Sequence, residues 1–181
     1  DDGFEAPGLE ALVTVFLGMG EVVVAAPSQN QTAKAHSLTL SEPVVVRERS
    51  LNGVKRAFAI GGTPATAVRV AIEHYLPRLP DLVVSGVNRG ENLGMSVHLS
   101  GTVGAAREAA FAGVPAVAVS IMGNRPETYQ TAARFVRGLV EDLRIGGRLR
   151  AGLLLNVNVP AGEVKGVKVA RLGLRASKVE H

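Results

Sequence analysis

The sequence predicts an α/β fold, a doubly wound and mostly parallel sheet with helices on both faces. Three observations carry that prediction. Short apolar runs bounded by turn residues, EVVVAA (21–26), DLVVS (81–85), AVAVS (116–120) and LLLNVNV (153–159), have the make-up of parallel strands covered on both faces. Between them lie stretches with apolar residues at helical spacing, and strand and helix alternate at intervals suited to right-handed crossovers. The chain of 181 residues is 46% hydrophobic, has no internal repeat or Pro/Gly/Ser-rich linker, and therefore reads as one domain over residues 1–181.

The elements follow in order. Residues 6–17 form a helix opened by Pro7 in its first turn and stopped by Gly18 and Gly20. Strand 21–26 leads into a polar loop, PSQNQTAKAHS, and then into a β-rich stretch at 44–47 and 56–60. Thr63 is an N-cap and Pro64 a first helical residue, with Ala67, Val70, Ala71 and Tyr75 or Leu76 spaced for an inner face. Strand 81–85 is followed by a long Gly/Asn loop, and Ser100–Gly101–Thr102 opens the helix VGAAREAAFAG. Strand 116–120, a helix over 127–143 carrying Tyr129, Ala133, Val136 and Val140 on one side, and strand 153–159 complete the series. The final RLGLRASKVEH closes no element and reads as the start of something further on.

Composition excludes several function classes. Cysteine is absent, so neither a disulfide framework nor a thiolate zinc site exists, and a reducing, cytoplasmic setting is expected. No apolar run reaches the length of a membrane span, so the expectation is a soluble protein with no membrane partner. The formal charge is +4, but aromatics make up only 4% and the basic residues are scattered (Arg134, Arg137, Arg144, Arg148 and Arg150), which argues against a nucleic-acid polymer as ligand and leaves a mild field that attracts small anions. There is no GxxxxGK[ST], no GxGxxG after a strand, no GxSxG and no HExxH.

In an open α/β sheet, ligands collect beyond the carboxyl ends of the strands. Asn30, Gln31, Thr32, His36 and Ser37 fall there after the first strand, Gly86, Asn88, Arg89 and Asn92 after strand 81–85, and the adjacent Asp1 and Asp2 stand before the first helix. Two carboxylates, a hydroxyl and an amide oxygen suit a hard cation such as Mg²⁺, Mn²⁺ or Ca²⁺, which would also relieve repulsion between neighbouring aspartates. Ser100, Gly101 and Thr102 at a helix start present unpaired N–H groups to an anion. Each feature has an ordinary explanation: Asp-Asp-Gly is common in frayed ends, Ser-Gly-Thr caps many helices, an Asn in a Gly-rich loop satisfies a turn, and a single His36, His74 or His98 is more often structural than catalytic. The argument rests on the set falling at strand ends.

The ordered segments DDG…APG, AAPSQNQTAKAHSLTL, GGTPA, PDLVVSGVNRGENLG, SGTVGAAREAAFAGVPAVAVS and LLNVNVP resemble the SurE family of survival-protein phosphatases, in register over nearly the whole chain. The resemblance implies a three-layer, Rossmann-like core, a divalent cation (Mg²⁺ or Mn²⁺, with Ca²⁺ able to replace it in a crystal), and hydrolysis of nucleoside 5′- and 3′-monophosphates and of short polyphosphate. By position it implies catalytic and metal-binding roles for Asp1 and Asp2, metal ligation by Thr32 and Asn88, and phosphate or substrate binding by Asn88, Asn92, Ser100, Gly101 and Thr102. It further implies a homodimer or homotetramer, a hydrophobic strand before the acidic pair and an extended arm after the last strand, so that the chain is expected to be truncated at both ends.

Three positions depart from the family pattern. Thr32 stands where Ser is usual, Thr66 where Asp is usual, and Ser96 where an acid is common. Loss of two supporting acids would tune such a site by roughly 10–100-fold. They motivate one alternative, a relative that binds nucleotide or phosphate with little or no turnover.

Overall fold

The computed structural model describes residues 1–174, so the end of the RLGLRASKVEH segment lies outside the described residues. Helix α1 (Pro7–Phe16) leads to β1 (Val23–Pro27), β2 (Val46–Glu48), β3 (Arg56–Ile60) and α2 (Pro64–Val70), which runs on into a π-turn over Ala71–Tyr75. Then come β4 (Val83–Arg89), the one-turn α3 (Ser96–Leu99), α4 (Gly101–Phe111), β5 (Ala116–Ile121), α5 (Pro126–Ile145) and β6 (Leu154–Val159).

The helices begin where the side chains dictate. Pro occupies the first turn of α1, α2 and α5, where its missing N–H has no intrahelical partner to lose. The hydroxyls of Thr63 and Ser100 cap α2 and α4 by accepting from the N–H groups of Thr66 and Val103.

The strands form two three-stranded sheets rather than one. The order is β1-β3-β2 in the first, with β2 antiparallel, and β4-β5-β6 in the second, all parallel. β5 is buried along its whole length, and its two faces differ in size. Val117, Val119 and Ile121 pack into one cluster with Ala11, Leu12 and Val15 of α1 and Val136 and Val140 of α5. Ala116 and Ala118 point the other way, against Val103, Ala106 and Ala109 of α4. Small side chains there let α4 lie close to the sheet, bringing its first turn to the strand ends.

Between β1 and β4 the sheet is interrupted. Among the described residues each of these strands pairs on one side only, and both strands line a cavity of about 520 Å³ with apolar walls from Leu12, Val13, Val24, Val68 and Val84 and with Asp1 and Asp2 also in its lining.

Three local features differ from the sequence-based expectation. β4 does not stop at Ser85 but continues to Arg89 through a bulge, since Ser85 pairs with Ala118 while Asn88 pairs with Ser120. Gly86 makes this possible: a Cβ at that position would lie 2.4 Å from the Val119 carbonyl oxygen. The stretch expected as loop contains the short helix α3, and the second helix widens into a π-turn at its end.

Candidate functional site

The acidic pair is fastened to three segments that are distant in sequence. Asp1 Oδ1 accepts from the Thr102 hydroxyl at 2.8 Å, and the Asp1 carbonyl oxygen accepts from the Gln31 N–H at 2.8 Å. Asp2 Oδ2 accepts from the backbone N–H of Arg89 at 3.2 Å. The partners are thus the first turn of α4, the neighbour of Thr32 and the neighbour of Asn88. Both aspartates are half-buried, between the ends of β1 and β4.

Each remaining candidate has a defined place. Thr32 is exposed and sits in an Asx turn, donating its N–H and its hydroxyl to Asn30 Oδ1 at 2.8 and 2.6 Å. Its hydroxyl oxygen keeps lone pairs for another partner. Asn88 donates its Nδ2 to the carbonyl oxygens of Gly90 (2.7 Å) and Arg89 (3.2 Å), which leaves its Oδ1 to act as an acceptor. Ser100 and Thr102 are buried, and Gly101 lies against Asp1: a Cβ at 101 would come within 3.0 Å of Asp1 Cβ and 3.1 Å of Oδ2. The Ser100 hydroxyl is spent on capping α4, accepting from the Val103 N–H at 3.1 Å. What that turn can offer an anion is therefore its backbone N–H groups at Gly101 and Thr102.

Asn92 is a brace. Only 6% exposed, it donates its backbone N–H to Asn158 Oδ1 and its Nδ2 to Ser120 Oγ, each at 2.8 Å, and its carbonyl accepts from the side chains of Asn156 and Asn158 at 2.8 and 3.2 Å. Asn156 and Asn158 are partners that the sequence reading left out of the site. Their signal was present: two polar residues at period two inside an otherwise apolar strand share one face, in register with Ala118 and Ser120.

The departures at 66 and 96 are absorbed locally. Thr66, 4% exposed, accepts the Thr39 N–H at 2.8 Å and lies 2.8 Å from the Thr63 hydroxyl, so a hydroxyl ties the β1 loop to α2. Ser96 turns back on its own backbone, accepting from the Leu93 N–H and donating to the Leu93 carbonyl.

A family model described as survival protein SurE matches residues 1–179. The chain belongs to the SurE family. It is 42% identical over 176 residues to the 5′-nucleotidase SurE of Desulforudis audaxviator, covering 96% of this chain and 68% of that protein. It is 41% identical over 180 residues to the 5′-nucleotidase SurE of Legionella pneumophila strain Corby (98% and 69% covered). With the protein of the same name from an Anaeromyxobacter species it shares 45% over 176 residues (97% and 67%). Among solved structures, the SurE protein of Aquifex aeolicus superposes with a TM-score of 0.83 at 36% identity, covering 98% of this chain and 72% of that one. The Rossmann-like three-layer expectation thus agrees with a SurE crystal structure.

The donor set of this SurE chain fits a hard cation. Among the described residues no three His, Cys, Asp or Glu side chains cluster as a metal site, so an ion beside Asp1 and Asp2 would meet at most two carboxylates and complete its shell with neutral oxygens. Tyr129, 6% exposed, completes the surroundings. Burial holds its phenol proton above the ordinary range, the negative Asp2 adds to the effect, and Arg89 opposes it.

Proposed function

We propose that this chain is a divalent-cation-dependent 5′-nucleotidase, a phosphomonoesterase that converts nucleoside monophosphates to nucleoside and phosphate. The observation that carries the reading is the fastening of two adjacent carboxylates to three loops at once: Thr102 of the α4 turn, Gln31 beside Thr32, and Arg89 beside Asn88. The nucleotidase name borne by relatives that are 41–45% identical supports it, and favours turnover over a binding-only role.

Asp1, Asp2, Asn88 Oδ1 and the Thr32 hydroxyl would hold the cation, Mg²⁺ or Mn²⁺. When bound, the cation supplies Lewis-acid polarisation of a phosphoryl oxygen and lowers the pKa of a water. The chain's own residues do the rest. The free N–H groups at Gly101 and Thr102, at the positive end of α4, bind phosphate oxygens that gain charge during transfer. The Thr102 hydroxyl bonds Asp1 Oδ1 while Oδ2 lies beside Gly101, which supports Asp1 as the carboxylate that attacks phosphorus, displacing the nucleoside oxygen, or takes the proton of the attacking water. Asp2, tied to Arg89, holds the β4 side of the site. Asn92 keeps that loop in place.

Asp1→Asn and Asp2→Asn are expected to reduce phosphate release from a nucleoside monophosphate by at least about 10³-fold, by analogy with the loss of reacting groups in other hydrolases. Assay with and without added Mn²⁺ and a chelator checks the reading; turnover equal with chelator and with metal would reject it. The same assay on 3′-monophosphates and short polyphosphate sets the breadth of substrate, since the turn meets the phosphate group alone.

The reading extends to the whole molecule. The edges of β1 and β4 that pair with no strand among the described residues, and the cavity between them that Asp1 and Asp2 help to line, support a further strand leading into the acidic pair and joining the two sheets. A longer chain carrying such a strand is expected to melt higher, and an unchanged melting temperature would count against it. Val167, Val169 and Leu174 on the extended segment after β6 are 70%, 96% and 89% exposed, which supports assembly of two or four copies through that segment, testable by sedimentation. Among the described residues no helix is long and apolar enough to cross a membrane. The lack of cysteine is what supports a reducing, cytoplasmic setting.

A further inference from the structure

A buried carboxylate outside the acidic pair links α4 to α2 and to the loop after β1. Glu108 lies on α4, with its side chain 8% exposed. Its Oε1 accepts from Nε of Arg69 on α2 at 2.6 Å, with a terminal nitrogen of the same guanidinium also 2.6 Å away as an ion pair, and its Oε2 lies 2.7 Å from His36 Nε2. Both oxygens are committed, as a carboxylate removed from water requires. His36 belongs to the loop after β1, the loop that carries Asn30 and Thr32.

That loop is held in a form its sequence does not favour. Between Thr32 and His36, Ala33 and Ala35 have φ of 59° and 52°, the left-handed region that a Cβ disfavours and that persists only where surrounding contacts impose it. The imposing contacts come from α4 and its approach. The Ala35 N–H donates to the Leu99 carbonyl at 3.0 Å, Gly104 admits the Ala35 carbonyl to within 2.2 Å of where a Cβ would stand, and Glu108 takes His36. At the loop's other end the Gln31 N–H donates to the Asp1 carbonyl.

We propose that Glu108, with Arg69 and His36, is a positioning latch that sets the β1 loop, and so the Thr32 hydroxyl, against the acidic pair and the α4 turn. The proposal rests on the nucleotidase reading above for its consequence, and on the geometry alone for its mechanism. His36 is a positioning residue and not a reacting one. Its ring packs on that of Phe111, 5.4 Å between centroids and tilted by 43°, at the opposite end of α4 from Thr102. Arg69 reaches the same carboxylate from the opposite side, so the anion cannot follow His36 outward. Groups that orient a ligand from outside the coordination shell commonly change metal affinity by roughly 10–100-fold when lost.

The test uses the full chain with His36→Ala and His36→Gln, the second able to place an amide N–H near Glu108. His36→Ala leaves one oxygen of a buried carboxylate without its partner, so His36→Gln, which keeps a donor there, and Arg69→Gln, a second route to the same carboxylate, keep the test decisive should His36→Ala fold poorly. Amide exchange at Gln31 and Ala35 is expected to be about tenfold faster in His36→Ala, and Mn²⁺ binding, titrated directly by paramagnetic resonance without substrate, about tenfold weaker. With a nucleoside monophosphate, the Mn²⁺ concentration for half-activity rises with the same factor while kcat at saturating Mn²⁺ stays within about threefold, and His36→Gln restores most of both. Unchanged exchange and unchanged Mn²⁺ affinity in His36→Ala overturn the latch; so does a collapse of kcat at saturating Mn²⁺ with the loop still protected, which would make His36 a reacting group. If the unaltered protein released no phosphate from any nucleotide, the nucleotidase reading would fall while the exchange and binding arms still decided the latch.

Discussion

The two loops that frame the acidic pair are held in opposite ways. The loop after β4 is tied by neutral hydrogen bonds inside the protein, with Asn92 at 6% exposure gripped by Asn156, Asn158 and Ser120. The loop after β1 is exposed at Asn30, Thr32 and Ala33, bends through left-handed alanines, and is anchored by backbone contacts with α4 and by the His36–Glu108 pair. The Asn88 side is therefore built on the same core that stabilises the fold, whereas the Thr32 side is set by contacts at the outer surface of that core. Damage to the first should show in stability and activity together; damage to the second should show in affinity with stability nearly constant.

Of the changes that separate the two loops, Gly104→Ala has the largest expected effect. The new methyl would stand 2.2 Å from the Ala35 carbonyl oxygen and 3.1 Å from His36 Cα, both backbone atoms, so the β1 loop must lift off α4. A displacement of about 1 Å at a reacting site can cost about 10²-fold, and kcat/KM is expected to fall by that order. Because the loop can move outward into solvent, the melting temperature should drop much less than for overpacking in a closed core. Full activity in this variant would show that the loop's approach to α4 is not part of the site.

Asn158→Ala probes the other side. It leaves the Asn92 N–H without its acceptor inside the protein, at a cost of about 1–3 kcal/mol, so the melting temperature should fall by several degrees. With Asn156 left as its one β6 anchor, the Asn92 loop beside Asn88 is held less firmly, and kcat/KM should also fall about tenfold at temperatures where the variant is folded, the low end of the range for groups that orient ligands. A loss of stability with unchanged kinetics would separate the brace from the site and remove the contrast drawn above.

Much of the frame was legible in the sequence for physical reasons. Parallel strands covered on both faces must be apolar throughout, so runs such as AVAVS declare themselves, and Thr63-Pro64 and Ser100-Gly101 announce helix starts through their capping chemistry. What was missed depends on partners far along the chain. Glu108 and His36 are 72 residues apart and leave no local pattern, while Asn92 and Asn158 are 66 apart, and the period-two asparagines of β6 mark a polar face without naming the partner it meets. The continuation of β4 to Arg89 was hidden because Gly86 reads as a strand terminator, while its use here is a close approach to Val119. The separation of the strands into two sheets was equally beyond periodicity, which reports burial but not pairing.

Thr32 offers a finer comparison, because its two polar bonds can be separated from its methyl. Thr32→Ala keeps the N–H bond to Asn30 and removes the hydroxyl, so the Mn²⁺ concentration for half-activity should rise about tenfold or less with stability within about 0.5 kcal/mol. Thr32→Ser keeps the hydroxyl and removes only an exposed methyl, so both quantities should stay near their starting values. If Thr32→Ala behaved like Thr32→Ser, the hydroxyl would have no part in cation binding.

The smallest effect reads the electrostatics of the site directly. Burial raises the Tyr129 phenol above its ordinary value of 10.0, the negative Asp2 raises it further, and Arg89 lowers it. A group that holds its proton more tightly when folded stabilises the fold fully below its unfolded pKa, and that contribution is lost as pH climbs from about 10 through the folded value. In a Tyr75→Phe background, where Tyr129 gives the sole phenolate absorbance, the metal-free protein should titrate above 10.0. Asp2→Asn should bring the midpoint down only part of the way, because burial is the larger cause, and Arg89→Ala should move it up. An Asp2→Asn variant with an unmoved midpoint would mean that this carboxylate does not face Tyr129, and the β4 side of the acidic pair would have to be redrawn.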